Sequence, residues 1–266
     1  MYSCNYKQNN IKNAHMVIRI IQITDLHLRA QKSYIAHGVN TYASAEKIID
    51  NIRDTEKNID YLIITGDLSD DETIQSYKNL SSLLVNFRCP IYLIAGNHDS
   101  FGLIKEISNN NIYHENLIKC NNWIIFMFNT KEKGSPNGII HDHEFELFEQ
   151  AIKDYPEKSF MIFSHHHPIK IGSESMDKMM IQNGEKLIKR LNIINNIKGF
   201  GWGHVHIEMY KKINETLLFS TPSTCYQAMP NSKEFSIDFS ASPGYRVIEL
   251  DKNGLIKTKV IRVNLS

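Results

Sequence analysis

The chain has 266 residues, 42% apolar and 22% charged, with 30 basic and 29 acidic side chains that leave a net charge of +1. These are globular proportions, and with no long basic block neither nucleic acid nor an anionic membrane surface is an expected partner. No apolar stretch reaches the ~18 residues that a membrane span needs, and the polar start of the chain does not read as a secretory leader. The scattered Cys4, Cys89, Cys120 and Cys225 form neither a zinc ribbon nor a disulfide framework, so reduced thiols in a cytoplasmic protein are expected.

Residues 1–14, rich in Asn, Lys and Gln, read as a loose tail, and residues 15–266 as one domain. Val17 to Ile23 reads as a strand. Ser44 to Lys57 shows helical spacing at Ala45, Ile48, Ile49 and Ile52. Tyr61 to Thr65 is a short apolar run suited to a strand covered on both faces. Asp71 to Phe87 reads as a helix, and Ile91 to Ala95 as the next strand. Trp123–Phe128, Phe160–Ser164, Leu217–Ser220, Tyr245–Leu250 and Ile256–Val263 are further strands. Helices are expected at His143–Lys153 and Gly184–Asn192. Alternation of strand and helix in the first half implies parallel pairing. The expected fold is α/β: a four-layer α/β/β/α sandwich of two mixed sheets flanked by helices.

Five of the apolar segments end in polar residues of one chemical type. Asp25-Leu26-His27 follows the first strand, Gly66-Asp67 the second and Gly96-Asn97-His98-Asp99 the third. His165-His166-His167 and Gly203-His204-Val205-His206 follow two later ones. Taken singly, each has an ordinary reading as a turn, a helix cap or a satisfied core histidine. Together they supply an inventory of Asp, Asn and His that suits Mn, Fe and Zn, at the strand ends where α/β folds gather ligands. Gly66, Gly96 and Gly203 would permit tight turns there.

This ordered set resembles the calcineurin-like metallophosphoesterases, whose pattern is D-x-H, G-D, G-N-H-D/E, H and G-H-x-H. Gly66-Asp67-Leu68-Ser69-Asp70-Asp71, His165-His166-His167-Pro168, Thr221-Pro222-Ser223-Thr224-Cys225-Tyr226-Gln227 and Pro243-Gly244-Tyr245-Arg246 narrow the resemblance. They are similar to the bacterial class III cyclic-nucleotide phosphodiesterases of the CpdA type. The resemblance implies two metal ions (Fe, Mn, Zn or Co). Asp25, His27 and His206 would hold one, and Asn97, His166 and His204 the other, with Asp67 bridging. His165 is the alternative to His166. It also implies that Asn97, His98 and His206 meet the substrate. His98 would protonate the leaving oxygen, and Asp99 would orient it unless Asp99 is simply a helix N-cap. The implied reaction is attack of a hydroxide held by both ions on a 3′,5′-cyclic nucleotide, taking cAMP to 5′-AMP, in a monomer or homodimer. Other phosphodiesters or phosphomonoesters, and a metal-poor interaction module, are the competing readings.

Trp202 and Asn129 depart from that narrower pattern and would alter the cleft wall. Thr224, Cys225 and Tyr226 line either the nucleotide pocket or the core. Residues 175–181 form either a lip over the site or a cover on the core.

Overall fold

The computed structural model describes residues 17–265; the expected tail lies outside the described residues. Two six-stranded mixed sheets form the centre. The first runs Ile256–Arg262, Gly244–Asp251, Val17–Ile23, Tyr61–Thr65, Ile91–Ile94, Ile112–Tyr113. The second runs Met209–Ile213, Thr216–Ser220, Ile197–Trp202, Ser159–Phe163, Trp123–Met127, Leu117–Cys120. The four consecutive strands from Val17–Ile23 to Ile112–Tyr113 pair in parallel, and so do the four central strands of the second sheet. Parallel neighbours point their carboxyl ends the same way, so the loops after them gather on one rim.

Alternation along the strands builds the layers. Ile18, Ile20 and Ile63 face Met161, Phe163 and Phe219 across the gap between the sheets. Leu62 and Ile64 face outward onto Ile48, Ile49 and Leu80 of helices Thr41–Thr55 and Ile74–Leu84. Phe160 and Ile162 face Phe148 and Leu187 of helices Asp142–Asp154 and Gly184–Ile193. Each such fully buried side chain contributes roughly 1.5–3 kcal/mol, and both sheets are apolar on both faces for that reason. The α/β/β/α sandwich is therefore the observed architecture.

Some boundaries differ from the sequence reading. The second helix starts at Ile74, not Asp71, because Thr73 caps it by accepting from Ser76 N, and Asp71 accepts from Ala30 N and Thr73 N. The edge strands Leu117–Cys120 and Met209–Ile213 carry exposed lysines at Lys119, Lys211 and Lys212. Charged edges that deter further pairing also hide a strand from an apolar pattern. Phe101–Ile107 is a further short helix. Met176 and Ile181 are buried on the second core, so residues 175–181 cover that core. Among the described residues no helix is long and apolar enough to cross a membrane.

Candidate metal centre

The strand ends converge because the loops continue the pairing of the strands. Asp25 N donates to Gly66 O at 3.0 Å, His27 N to Asp67 O at 2.9 Å and Leu28 N to Leu68 O at 3.1 Å. From the second sheet, Gly203 N donates to His165 O at 3.1 Å. The sheets are joined at this rim: His204 N donates to both Asp25 carboxylate oxygens, at 2.9 and 3.1 Å. Gly203 allows the approach, since a Cβ there would lie 1.9 Å from Thr24 Oγ1. A Cβ on Gly96 would lie 2.1 Å from Asp67 Oδ1. Of the three site glycines only Gly66 needs a positive φ; the other two are required by crowding.

The polar residues themselves carry the unusual backbone. Asp25, His27, Asp67, His204 and His206 have φ of 54°, 47°, 49°, 66° and 52°, five of the eleven positive-φ non-glycine residues described. Each costs of order 1 kcal/mol or more, and such residues concentrate where function over-determines the chain. In both D-x-H and H-x-H the middle residue, Leu26 or Val205, is fully buried. It anchors the loop while its two neighbours face the centre.

Two clusters result. In the first, His27 Nε2 lies 3.2 Å from His206 Nε2 and 3.6 Å from Asp67 Oδ2, and His206 Nε2 lies 3.5 Å from Asp25 Oδ1. In the second, His165 Nε2 lies 3.0 Å from Asn97 Oδ1, 3.1 Å from His204 Nδ1 and 3.4 Å from Asp67 Oδ1. Asp67 gives one oxygen to each. Ligand atoms arranged tetrahedrally about an ion with bonds near 2.1 Å stand about 3.4 Å apart. The observed 3.0–3.6 Å spacings fit that arrangement.

The outward ring nitrogens fix the tautomers. His27 Nδ1 lies 3.3 Å from Asp70 Oδ1, His165 Nδ1 2.8 Å from Thr65 O and His206 Nδ1 2.9 Å from Tyr226 O. A proton on each Nδ1 leaves Nε2 as a lone-pair donor aimed inward, the arrangement of a metal-ligating imidazole. Electrostatics agree. Burial would raise Asp67, but the facing His165 and His27 outweigh it and hold the carboxyl well below its usual range. Burial would lower His165, but Asp67 and Asp25 push it up to about 9. A pocket that retains protons on imidazole has a negative field that suits a cation. These buried His and Asp clusters fit a dinuclear metal centre.

His166 was expected in the second cluster, but it is His165 whose Nε2 lies beside Asn97 Oδ1 and Asp67 Oδ1. His166 Nδ1 meets Thr130 Oγ1 at 2.8 Å, and its Nε2 is buried without a hydrogen-bond partner. It remains near enough that His165, His166 and His204 can bring one nitrogen each within 4.8 Å. Only His165 also reaches Asn97 and Asp67. The strand ends at Phe163, one residue before the sequence boundary, and Ser164 and Gly203 pairing sets which histidine turns inward.

Asp99 corrects a second expectation. It is fully buried and accepts from Leu68 N, Ser69 N, Gly96 N and Tyr77 Oη at 2.8–3.1 Å, so it clamps two loops together. Neither its role as an orienter of His98 nor its role as an N-cap is observed; Ser100 holds the cap position. Asp70 stands beside His98 instead, with Oδ1 3.5 Å from Nδ1. Its other oxygen takes Arg29 Nε at 2.7 Å. Asp70 lay inside the Gly66–Asp71 stretch that carries the narrower resemblance, and that was the available signal. His98 itself is exposed beside the first cluster, with its ring 5.1 Å from that of His27. Trp202 is fully buried against Phe200, so it does not wall the cleft. Asn129 Oδ1 accepts from Lys131 N. Thr224 and Cys225 are core, while Tyr226 stacks on His206 at 4.7 Å.

The family model for calcineurin-like phosphoesterases matches residues 18–208. The 3′,5′-cyclic adenosine monophosphate phosphodiesterase CpdA of Pseudomonas aeruginosa is 29% identical over 258 residues, covering 97% of this chain and 94% of its own. That of Escherichia coli K12 is 31% identical over 248 residues, covering 92% and 90%. A dimetal phosphatase from Danio rerio superposes with a TM-score of 0.62 at 12% identity, over 93% of this chain and 99% of that one, a likeness of fold alone. With paired His and Asp clusters on one rim of an α/β/β/α sandwich, the chain belongs to the calcineurin-like phosphoesterase family and is a metal-dependent phosphoesterase.

Proposed function

We propose that the protein is a phosphodiesterase that hydrolyses 3′,5′-cyclic nucleotides and takes cAMP to 5′-AMP. The observation that carries the reading is Asp67, whose two carboxylate oxygens each serve one cluster. The named cAMP phosphodiesterases at 29–31% identity over more than nine-tenths of the chain support the substrate class. One ion is assigned to Asp25, His27, His206 and Asp67, the other to Asn97, His165, His204 and Asp67. The donor set of carboxylate, amide and imidazole accommodates Mn, Fe, Zn or Co. When bound, such a pair lowers the pKa of water towards neutrality and offsets negative charge on the phosphoryl group.

The chain's own residues do the rest. Asp67 is held in place by His98 N, which donates to Oδ1 at 3.0 Å. Asn97 and His206, assigned to the two ions, are also assigned to contact with the phosphoryl group. His98 is the proton donor to the departing 3′ oxygen. Burial holds its imidazole below the usual pKa, and the Asp67 and Asp70 carboxylates, the latter 3.5 Å from Nδ1, oppose that shift. Water oxygen adds to phosphorus and gives up one proton to solvent, the P–O3′ bond breaks, and O3′ takes the proton of His98, which solvent then restores.

The test is product analysis with cAMP, cGMP, 2′,3′-cyclic AMP and glycerophosphodiesters, on protein stripped by chelator and reloaded with Mn. Metal-dependent formation of 5′-AMP from cAMP is expected. Turnover of glycerophosphodiesters with no turnover of either 3′,5′-cyclic nucleotide would overturn the reading.

A further inference from the structure

An aromatic wall stands beside the first cluster, contributed by three separate segments. Its inner member is Tyr226, whose ring stacks on His206 at 4.7 Å and 29° and on His27 at 5.6 Å and 27°. Its outer members are His37 and Phe235. His37 meets Tyr226 edge-on at 4.6 Å, and Phe235 lies 6.3 Å from Tyr226, 6.0 Å from His37 and 6.4 Å from His206. Phe235 keeps 40% of its surface exposed, and His37 is exposed too. None of the three side chains is needed by the chemistry described above.

His37 is placed with some rigidity. It and Gly38, with φ of 48° and 83°, form the two-residue turn of the hairpin Ile35–Ala36 and Val39–Asn40. Such turns favour Asn-Gly. Asn40 then caps helix Thr41–Thr55 by accepting from Ala43 N at 2.9 Å. The hairpin thus holds an imidazole where asparagine would fit the backbone better.

We propose that His37 and Phe235, backed by Tyr226, form the nucleobase subsite of this enzyme, a wall against which a planar base stacks. The proposal rests on the cyclic-nucleotide reading and adds how the base is held. The phosphodiester belongs over the paired clusters, and a wall touching the imidazoles of the first cluster is one sugar ring away from it. His37 and Phe235 are 6.0 Å apart and tilted by 56°. Two stacking contacts of ~3.5 Å need about 7 Å between parallel rings, so the pair does not sandwich a base and presents an open face. Stacking of this kind tolerates any base. Purines should outrank pyrimidines by contact area, with little separation of cAMP from cGMP. The opposite flank has a cleft of about 600 Å³ lined by Asn97, His98, Phe101, Lys131 and Lys133. Its two lysines suit additional negative charge, which a cyclic nucleotide lacks.

The test measures competitive inhibition of bis(p-nitrophenyl) phosphate hydrolysis by 5′-AMP and by ribose 5-phosphate, which differ only in the base. For the Mn-loaded wild type, 5′-AMP should bind at least about tenfold more tightly, the size of one base–aromatic stack. In the double variant His37→Asn, Phe235→Ala that ratio should fall to about twofold or less as the stack is lost. His37→Asn preserves the turn, and metal content with the thermal midpoint verifies the fold. An unchanged ratio in the double variant, or a ratio that collapses instead in Phe101→Ala, overturns the proposal. A base preference that depends on the wall in an enzyme inactive on cyclic nucleotides would leave the subsite standing and remove the substrate reading.

Discussion

Replacing His165 by alanine separates it from His166, the histidine that the sequence reading preferred as the ligand. The change removes the nitrogen that lies 3.0 Å from Asn97 Oδ1, 3.1 Å from His204 Nδ1 and 3.4 Å from Asp67 Oδ1. Loss of a group that merely supports a ligand lowers metal affinity about 10- to 100-fold, so loss of the ligand should exceed about 100-fold, or about 2.7 kcal/mol. His166→Ala removes a ring whose polar contact is Thr130 Oγ1 at 2.8 Å. That variant should lose stability, by about 2 kcal/mol for the truncated buried ring and the unsatisfied hydroxyl, and keep both ions. The assay is metal content by plasma mass spectrometry after dialysis against micromolar Mn, paired with denaturant unfolding. Wild type and His166→Ala should each hold two ions per chain and His165→Ala one. A His166→Ala protein that drops to one ion while His165→Ala keeps two would refute the assignment.

His98→Ala should lower kcat by about 10²- to 10⁴-fold, the usual worth of a general acid, with two ions still bound; loss of both ions in that variant would show that His98 builds the centre. Tyr77→Phe removes a hydroxyl that donates to Asp99 Oδ1 at 3.0 Å and accepts from Ser100 N at 2.7 Å. Denaturant unfolding should show a loss of about 1–3 kcal/mol, since two buried partners lose their bond. An unchanged midpoint would mean that the Asp99 clamp does not hold the two loops.

Strands whose both faces are covered were legible because their apolar runs are continuous and end abruptly, as at Tyr61–Thr65. Met209–Ile213 was not, because an edge strand with lysines on its open side lacks such a run. His165 and His166 are equivalent as letters. The choice between them follows from Ser164 N pairing with Gly201 O and Gly203 N with His165 O, contacts to a strand almost forty residues away. Asp99 looked catalytic because it follows His98. Its four donors come from residues 68, 69, 77 and 96, three of them from a different loop or helix, and no local pattern announces them.

The sequence by itself determined the chemistry on offer: which strands are buried, and which Asp, Asn and His residues follow them. Residue type and local periodicity set those things, and both are properties of neighbouring positions. Tertiary structure alone decided which nitrogen faces which oxygen. It assigned Asp70 to His98 and brought His37, Tyr226 and Phe235 to one wall. Side-chain direction at a strand end depends on pairing with distant chain, and that pairing exists only once the two sheets have packed.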